Sequence, residues 1–180
     1  MIIRRKLQKK IHPKDLYFVS PLGNLDNEMI YPEVPNNLLT RNGWENTKTK
    51  RITLYPSVSK ALTGLGREGK SLKGAKLYVY SPSSGSQESL IKPGIQDSPI
   101  VGGTGEYWYL SSIRLKLVAE IEVEKKIPGE EIIYHYGPRS TVGYLYRWEW
   151  KEILKPWEKE GKLKEKEFGI TSDLYHSGTQ

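Results

Sequence analysis

The sequence predicts a single α+β domain: a strand-rich mixed or antiparallel sheet with a few short helices. Two observations carry that reading. Short β-branched and aromatic runs alternate apolar with polar residues, the mark of half-buried strands. Long stretches rich in Gly, Pro, Ser and Asn separate these runs and break regular structure. The segments 1–14 and 158–180 are expected to be a basic N-terminal arm and a charged tail around a domain spanning 15–157.

The elements follow in order. Asp15 to Ser20, DLYFVS, is the first expected strand. PLGNLDNEMIYPEVPNN is a turn-rich connection, and LLTRNGW one helical turn before Asn42-Gly43. RITLYPSVSKALTGLG, from Arg51 to Gly66, reads as a strand, a proline turn and a capped helix. Pro56 cannot continue a ladder. Ser57 is a good N-cap for a helix through Val58, Ala61, Leu62 and Leu65, and Gly66 is placed to end it. Ala75 to Pro82 is a second strong strand. Ser81 to Gly105 is a long Gly/Ser/Pro loop with an extended piece at Leu90-Ile91. Glu106 to Leu110 and Ile113 to Val123 are strands, the second placing Leu115, Leu117, Ala119, Ile121 and Val123 on one face. EEIIYHYG reads as a strand or a helical turn. YLYRWEWKEILK is amphipathic and is expected to be helical up to Pro156.

Composition bounds function. The chain has 180 residues, a formal charge of +7 and no cysteine. Disulfides and thiolate catalysis are therefore excluded, and a cytoplasmic setting is expected. No run of about 18 apolar residues predicts a membrane span. The charged N-terminus has no apolar stretch, so no secretory signal is expected. His12, His135 and His176 are scattered, so no metal site is expected. The basic balance points to anionic partners: a phosphorylated small molecule, a nucleotide, or nucleic acid held by the basic termini.

Several residues carry candidate chemistry. A strand feeding a helix N-terminus leaves free amides for an anion, so Arg51, Ser57 and Lys60 are the candidate phosphate ligands. Arginine's planar fork suits phosphate, which adds Arg41, Arg114 and Arg139, the last in the turn YGPRST. Aromatic rings stack on bases, contributing roughly 1–3 kcal/mol each. Tyr17, Trp44, Tyr55, Tyr107 and Trp108 are candidates, with Trp108 expected in the core and Trp44 exposed. VGGTGE lacks the lysine and spacing of a P-loop. No serine sits in a G-x-S-x-G context, so a hydrolase triad is unsupported.

DLYFVSP, LLTRNGWENTKTKRITLYPSVSKALTGL, LKGAKLYVYSP and GEYWYLSSIRLKLVAEI occur in an order that resembles a family of small phage-encoded proteins. Their motifs look like Y-H-V-S-P, an aromatic followed by S/A-P-S and a helix, and G-E-x-W-x-L-x-x-x-L-K. The order is also similar to the core of ADP-ribosyltransferase-like proteins, including the RNA 2′-phosphotransferase branch. This resemblance implies that fold, a first strand bearing a polar residue for the NAD ribose, an aromatic stacking on nicotinamide, and a late catalytic glutamate. Tyr55 matches the aromatic. Phe18 stands where the pattern has His or Arg. Glu106, Glu120 and Glu122 are the candidate glutamates.

Together these readings imply a phage-type protein that captures an ADP-ribose-derived or related cyclic nucleotide and counters nucleotide-based bacterial immunity. Tyr17, Ser20, Trp44 and Tyr55 would contact base or ribose. Two alternatives stay open. One is an active ADP-ribosyltransferase using NAD on a host protein or RNA. The other is a basic module binding nucleic acid or a host protein. A homo-oligomer is compatible with each.

Overall fold

A computed structural model of the chain describes residues 11–35, 46, 48–65, 72–94, 104–136 and 139–163, and of 128–146 the backbone alone. Its elements are β1 (Phe18–Ser20), β2 (Met29–Ile30), β3 (Ile52–Leu54), α1 (Val58–Leu65), β4 (Lys76–Pro82), β5 (Leu90–Ile91), β6 (Tyr107–Tyr109), β7 (Ile113–Tyr136) and β8 (Arg139–Glu152). The domain is α+β and strand-rich, with antiparallel pairing between its named strands. The larger sheet runs β1-β4-β7-β2, with β8 also paired to β7, and the smaller runs β3-β6-β5.

α1 forms as its residues dictate. The Ser57 hydroxyl accepts the Lys60 amide at 3.1 Å and caps the first turn. Val58, Ala61 and Leu62 then fall on one face and are fully buried. They pack on Val19, Leu77, Val79, Ile121, Val123, Trp148 and Trp150 of the larger sheet. The sheet's other face meets the smaller sheet through Leu16, Ile52, Leu54, Tyr80, Tyr109, Ile113 and Leu115. The layers are thus helix, large sheet and small sheet.

Three expectations are corrected here. The stretch 144–152 is strand rather than helix. Trp148 and Trp150 are both buried, while Arg147, Glu149 and Lys151 between and beside them are less so. That is a period of two, and β7 supplies the partner: Val123 opposes Trp150 and Lys126 opposes Trp148. Secondly, the odd-numbered apolar residues of β7 do not share one face. The register of β4 on β7 shifts between Val79 and Tyr80, which face Ala119 and Leu117. The extra residue, Val118, is a bulge, and a bulge reverses the side-chain alternation. Ile113 and Leu115 therefore serve one core, and Ile121 and Val123 the other. Of the segment EEIIYHYG, Glu130 to Tyr136 fall within β7 as strand. The connection after β1, expected to lack regular structure, contributes the short strand β2, which pairs with Ile113 and Arg114.

Tyr80 ties that connection down. Its buried hydroxyl donates to the Leu22 carbonyl at 2.6 Å and accepts the Leu25 amide at 3.3 Å. Burial raises the pKa of this phenol, against the opposing pull of the Leu25 amide. Tyr80→Phe strands both backbone groups and is expected to lower stability by about 1–3 kcal/mol, read by urea unfolding. The segment 21–25 should also gain amide exchange, since these bonds hold it to β4.

Candidate functional site

The strand β3 is pinned at both ends to the first elements of the chain. Tyr17 and Tyr55 exchange backbone hydrogen bonds at 2.8 and 2.9 Å, and Glu33 and Arg51 do so at 3.2 and 3.0 Å. Between these pins β1 and β3 diverge, and a cleft of about 590 Å³ opens. Phe18, Pro21, Leu22, Leu25, Met29, Ile30 and Tyr31 give it apolar walls. Ser20, Glu33, Arg51, Thr53, Tyr55 and Glu106 supply its polar groups, and Gly64 and Leu65 of α1 close one end. Its size and its few polar groups on apolar walls suit a small-molecule ligand.

The pairing of β3 with β6 builds the polar floor. Thr53 opposes Trp108 and Leu54 opposes Tyr107. Tyr55 follows β3 and Glu106 precedes β6 at the same end of this pair, and both line the cleft. Glu106 is 4% exposed, yet it lines the cleft. One carboxylate oxygen accepts the Trp108 indole N–H at 3.1 Å, and the other accepts the Thr104 hydroxyl at 3.5 Å. Residues two apart on a strand share a face, so the E-x-W spacing lets the indole reach back to the carboxylate. A face of the ring carries the Arg51 guanidinium, 4.0 Å from its centroid. Arg51 Nη1 donates to the carbonyls of Asn46 and Thr49 at 2.9 and 3.0 Å. Arg51, Trp108 and Glu106 therefore form one buried stack that fixes the carboxylate.

The sequence candidates separate into groups. Ser20, Arg51, Tyr55 and Glu106 meet in the cleft. Tyr17 lies beside it, paired to Tyr55. Ser57 and Lys60 sit at the start of α1, beyond the far end of β3 from Arg51. Glu120 and Glu122 oppose Tyr78 and Lys76 on β7, apart from the cleft lining. Arg139 opens β8 opposite Tyr136, and its side chain lies outside the described residues, as do Arg41 and Trp44. Trp108 is in the core at 1% exposure, as its position between two tyrosines suggests. Among the described residues no cluster of His, Asp or Glu has the arrangement of a metal site. No helix among them is long and apolar enough to cross a membrane.

Sequence reasoning passed over Glu33, Gly64 and Lys92. Glu33 sits in a connection without periodicity, so nothing marked it. Gly64 did leave a signal, being a glycine inside an otherwise good helix. The Tyr55 ring lies against it: a Cβ there would stand 2.8 Å from Tyr55 Cζ and 2.9 Å from Cε1. Gly64→Ala gains up to about 1 kcal/mol of helix propensity. It must also displace a ring held by the Tyr17–Tyr55 bridge, an overpacking cost of about 1–3 kcal/mol. The expected net result is a modest loss of stability with large shifts in the Tyr55 ring resonances, checked by NMR and urea unfolding. Unchanged Tyr55 resonances would contradict this packing.

Comparisons of the chain with protein-family models, with curated proteins and with solved structures find no match.

Proposed function

We propose that the cleft binds the nucleoside end of an ADP-ribose-derived or related cyclic nucleotide, and that the protein captures this ligand. The observation that carries the reading is that Tyr55 and Glu106, at the same end of the β3–β6 pair, both line an apolar-walled cleft. A planar ring would lie against Tyr55 and Phe18, and ribose hydroxyls would donate to the Glu106 carboxylate. Carboxylate acceptors make strong charge-assisted hydrogen bonds to hydroxyls. The sequence resemblance supports Tyr55 as the stacking aromatic and calls for a late glutamate among Glu106, Glu120 and Glu122, of which Glu106 lines the cleft. Phe18, in the position of the polar first-strand residue, favours holding a nucleotide over transforming it. The chain's small size, basic charge and aromatic content are compatible with a role in sequestering a nucleotide immune signal.

One observation favours a second reading, an ADP-ribosyltransferase. Glu106 is held by Trp108 in the lining that Tyr55 shares, whereas Glu120 and Glu122 stand elsewhere on β7. A fixed carboxylate can stabilise positive charge at the ribose C1′ as its bond to nicotinamide breaks and the ring leaves with the electron pair. An acceptor nucleophile then bonds to C1′.

Mass spectrometry of small molecules released by denaturing the purified protein, with calorimetric titration of ADP-ribose and cyclic ADP-ribose, tests the first reading. Binding that Tyr55→Ala weakens about tenfold or more is expected from loss of ring stacking. Failure of the intact protein to bind any such nucleotide would end it. Release of nicotinamide from NAD separates the second reading from the first.

A further inference from the structure

The cleft presents two carboxylates, Glu33 and Glu106, and a ligand's phosphates would be repelled by them. Among the described residues that line the cleft, the arginine is Arg51, which lies on the Trp108 ring with Nη1 bonded to two carbonyls. The cationic groups of Lys60 and Lys92 gather around Gly105, the residue before Glu106.

Gly105 has φ of +59°, and a Cβ on it would stand 3.4 Å from Pro56 Cγ and 3.6 Å from Lys60 Nζ. Lys92, which follows β5, also reaches Gly105 and donates from Nζ to its carbonyl at 2.9 Å. The same ammonium lies 4.3 Å from the centroid of the Tyr107 ring. Lys92 remains an exposed residue. Its ammonium is nonetheless disfavoured: burial lowers its pKa most, the charge of Lys60 lowers it further, and Glu106 opposes both. Two ammonium groups thus converge on one bare stretch of backbone. The Glu106 carboxylate, which accepts hydrogen bonds from Trp108 and Thr104, offsets part of this positive charge. Like charges brought together are eased by a multivalent anion between them. Lysine ammonium groups, with three donors each, bind phosphate as point charges.

We infer that Lys60 and Lys92, both beside Gly105, form the seat of a phosphate or pyrophosphate group. The identity of the ligand rests on the nucleotide reading above, while the chemistry of the seat rests on the lysine pair. The nucleoside end would then occupy the cleft and the phosphates would pass Glu106 toward Gly105. This moves the phosphate contact away from Arg51 and adds Lys92, which follows a short extended piece in a long Gly/Ser/Pro-rich loop.

The test titrates inorganic pyrophosphate, ADP-ribose and adenosine into the intact protein and into Lys60→Gln, Lys92→Gln and Lys116→Gln. All are compared at one low salt concentration after matched thermal melts. Lys116, an exposed residue of β7, controls for general attraction to a basic surface. Pyrophosphate is expected to bind the intact protein. Lys60→Gln and Lys92→Gln should each weaken pyrophosphate and ADP-ribose by about tenfold, the effect of one lost charge-assisted contact. Adenosine affinity should not change in either. Three results overturn the seat: no pyrophosphate binding to the intact protein, equal binding by both lysine variants, or an equal loss in Lys116→Gln. Lysine-dependent binding of pyrophosphate without any binding of ADP-ribose or adenosine supports the seat and ends the nucleotide reading. Nucleotide binding indifferent to both lysines does the reverse.

Discussion

Trp148→Ala is expected to lower the free energy of unfolding by about 3–5 kcal/mol, the range for removing a fully buried Trp. Trp148 has no exposed surface and sits between β8 and α1. Its indole N–H donates to the Thr63 hydroxyl at 3.0 Å, and that hydroxyl donates to the Ser59 carbonyl at 3.1 Å. The substitution opens a cavity beneath α1 and takes a donor from Thr63. Against a typical domain stability of about 5–15 kcal/mol, the loss is a large fraction of the whole. For a chain of this size it corresponds to a melting point lower by roughly 6–20 °C. Trp148→Phe keeps most of the ring volume and should cost less. Trp157, 75% exposed, provides the control; Trp157→Ala should fall within about 0.5 kcal/mol of the parent. Thermal and urea unfolding of the three variants decide the point. Equal effects at positions 148 and 157 would refute the placement of β8 against α1.

That strand is also where local reading of the sequence failed, for a definite reason. In YLYRWEWKEILK the two tryptophans mark a period of two, while Glu, Lys and Leu favour a helix. The choice was made by β7, whose Val123 and Lys126 oppose Trp150 and Trp148. No window on β8 contains that partner. The bulge opposite Val79 and Tyr80 is equally non-local, and it sends one apolar stripe into two cores. By contrast the cap at Ser57 and the first turn of α1 depend on neighbours in sequence, and both were legible. The site was half legible. Tyr55 and Glu106 could each be singled out, but the β3–β6 pairing that joins them links residues some fifty positions apart. Arg51 shows the same limit. Its charge marked it as a phosphate ligand, and the ring of Trp108, invisible from its surroundings in sequence, set where its guanidinium lies.

Glu106→Gln is the substitution with the largest expected effect on ligand handling. It keeps the shape of the side chain and an oxygen for the Trp108 indole, now 3.1 Å away, so the fold should survive. The negative charge is lost, and with it the charge-assisted acceptor for ribose hydroxyls. Such bonds contribute about 1.5–3 kcal/mol, so ADP-ribose affinity should fall roughly ten- to a hundredfold. The variant also removes the charge that opposes the lowering of the Lys92 pKa. Lys92 should therefore titrate at still lower pH, a shift readable by NMR of its side chain. Should the protein cleave NAD, loss of one preorganised stabilising group predicts nicotinamide release slower by about 10²–10³. Glu120→Gln and Glu122→Gln, on the part of β7 paired to β4, should leave both binding and turnover unchanged. ADP-ribose held as tightly by Glu106→Gln as by the parent would remove Glu106 from the site. A loss shared with Glu120→Gln would point instead to the protein's overall field, because only a contact in the cleft distinguishes one glutamate from another.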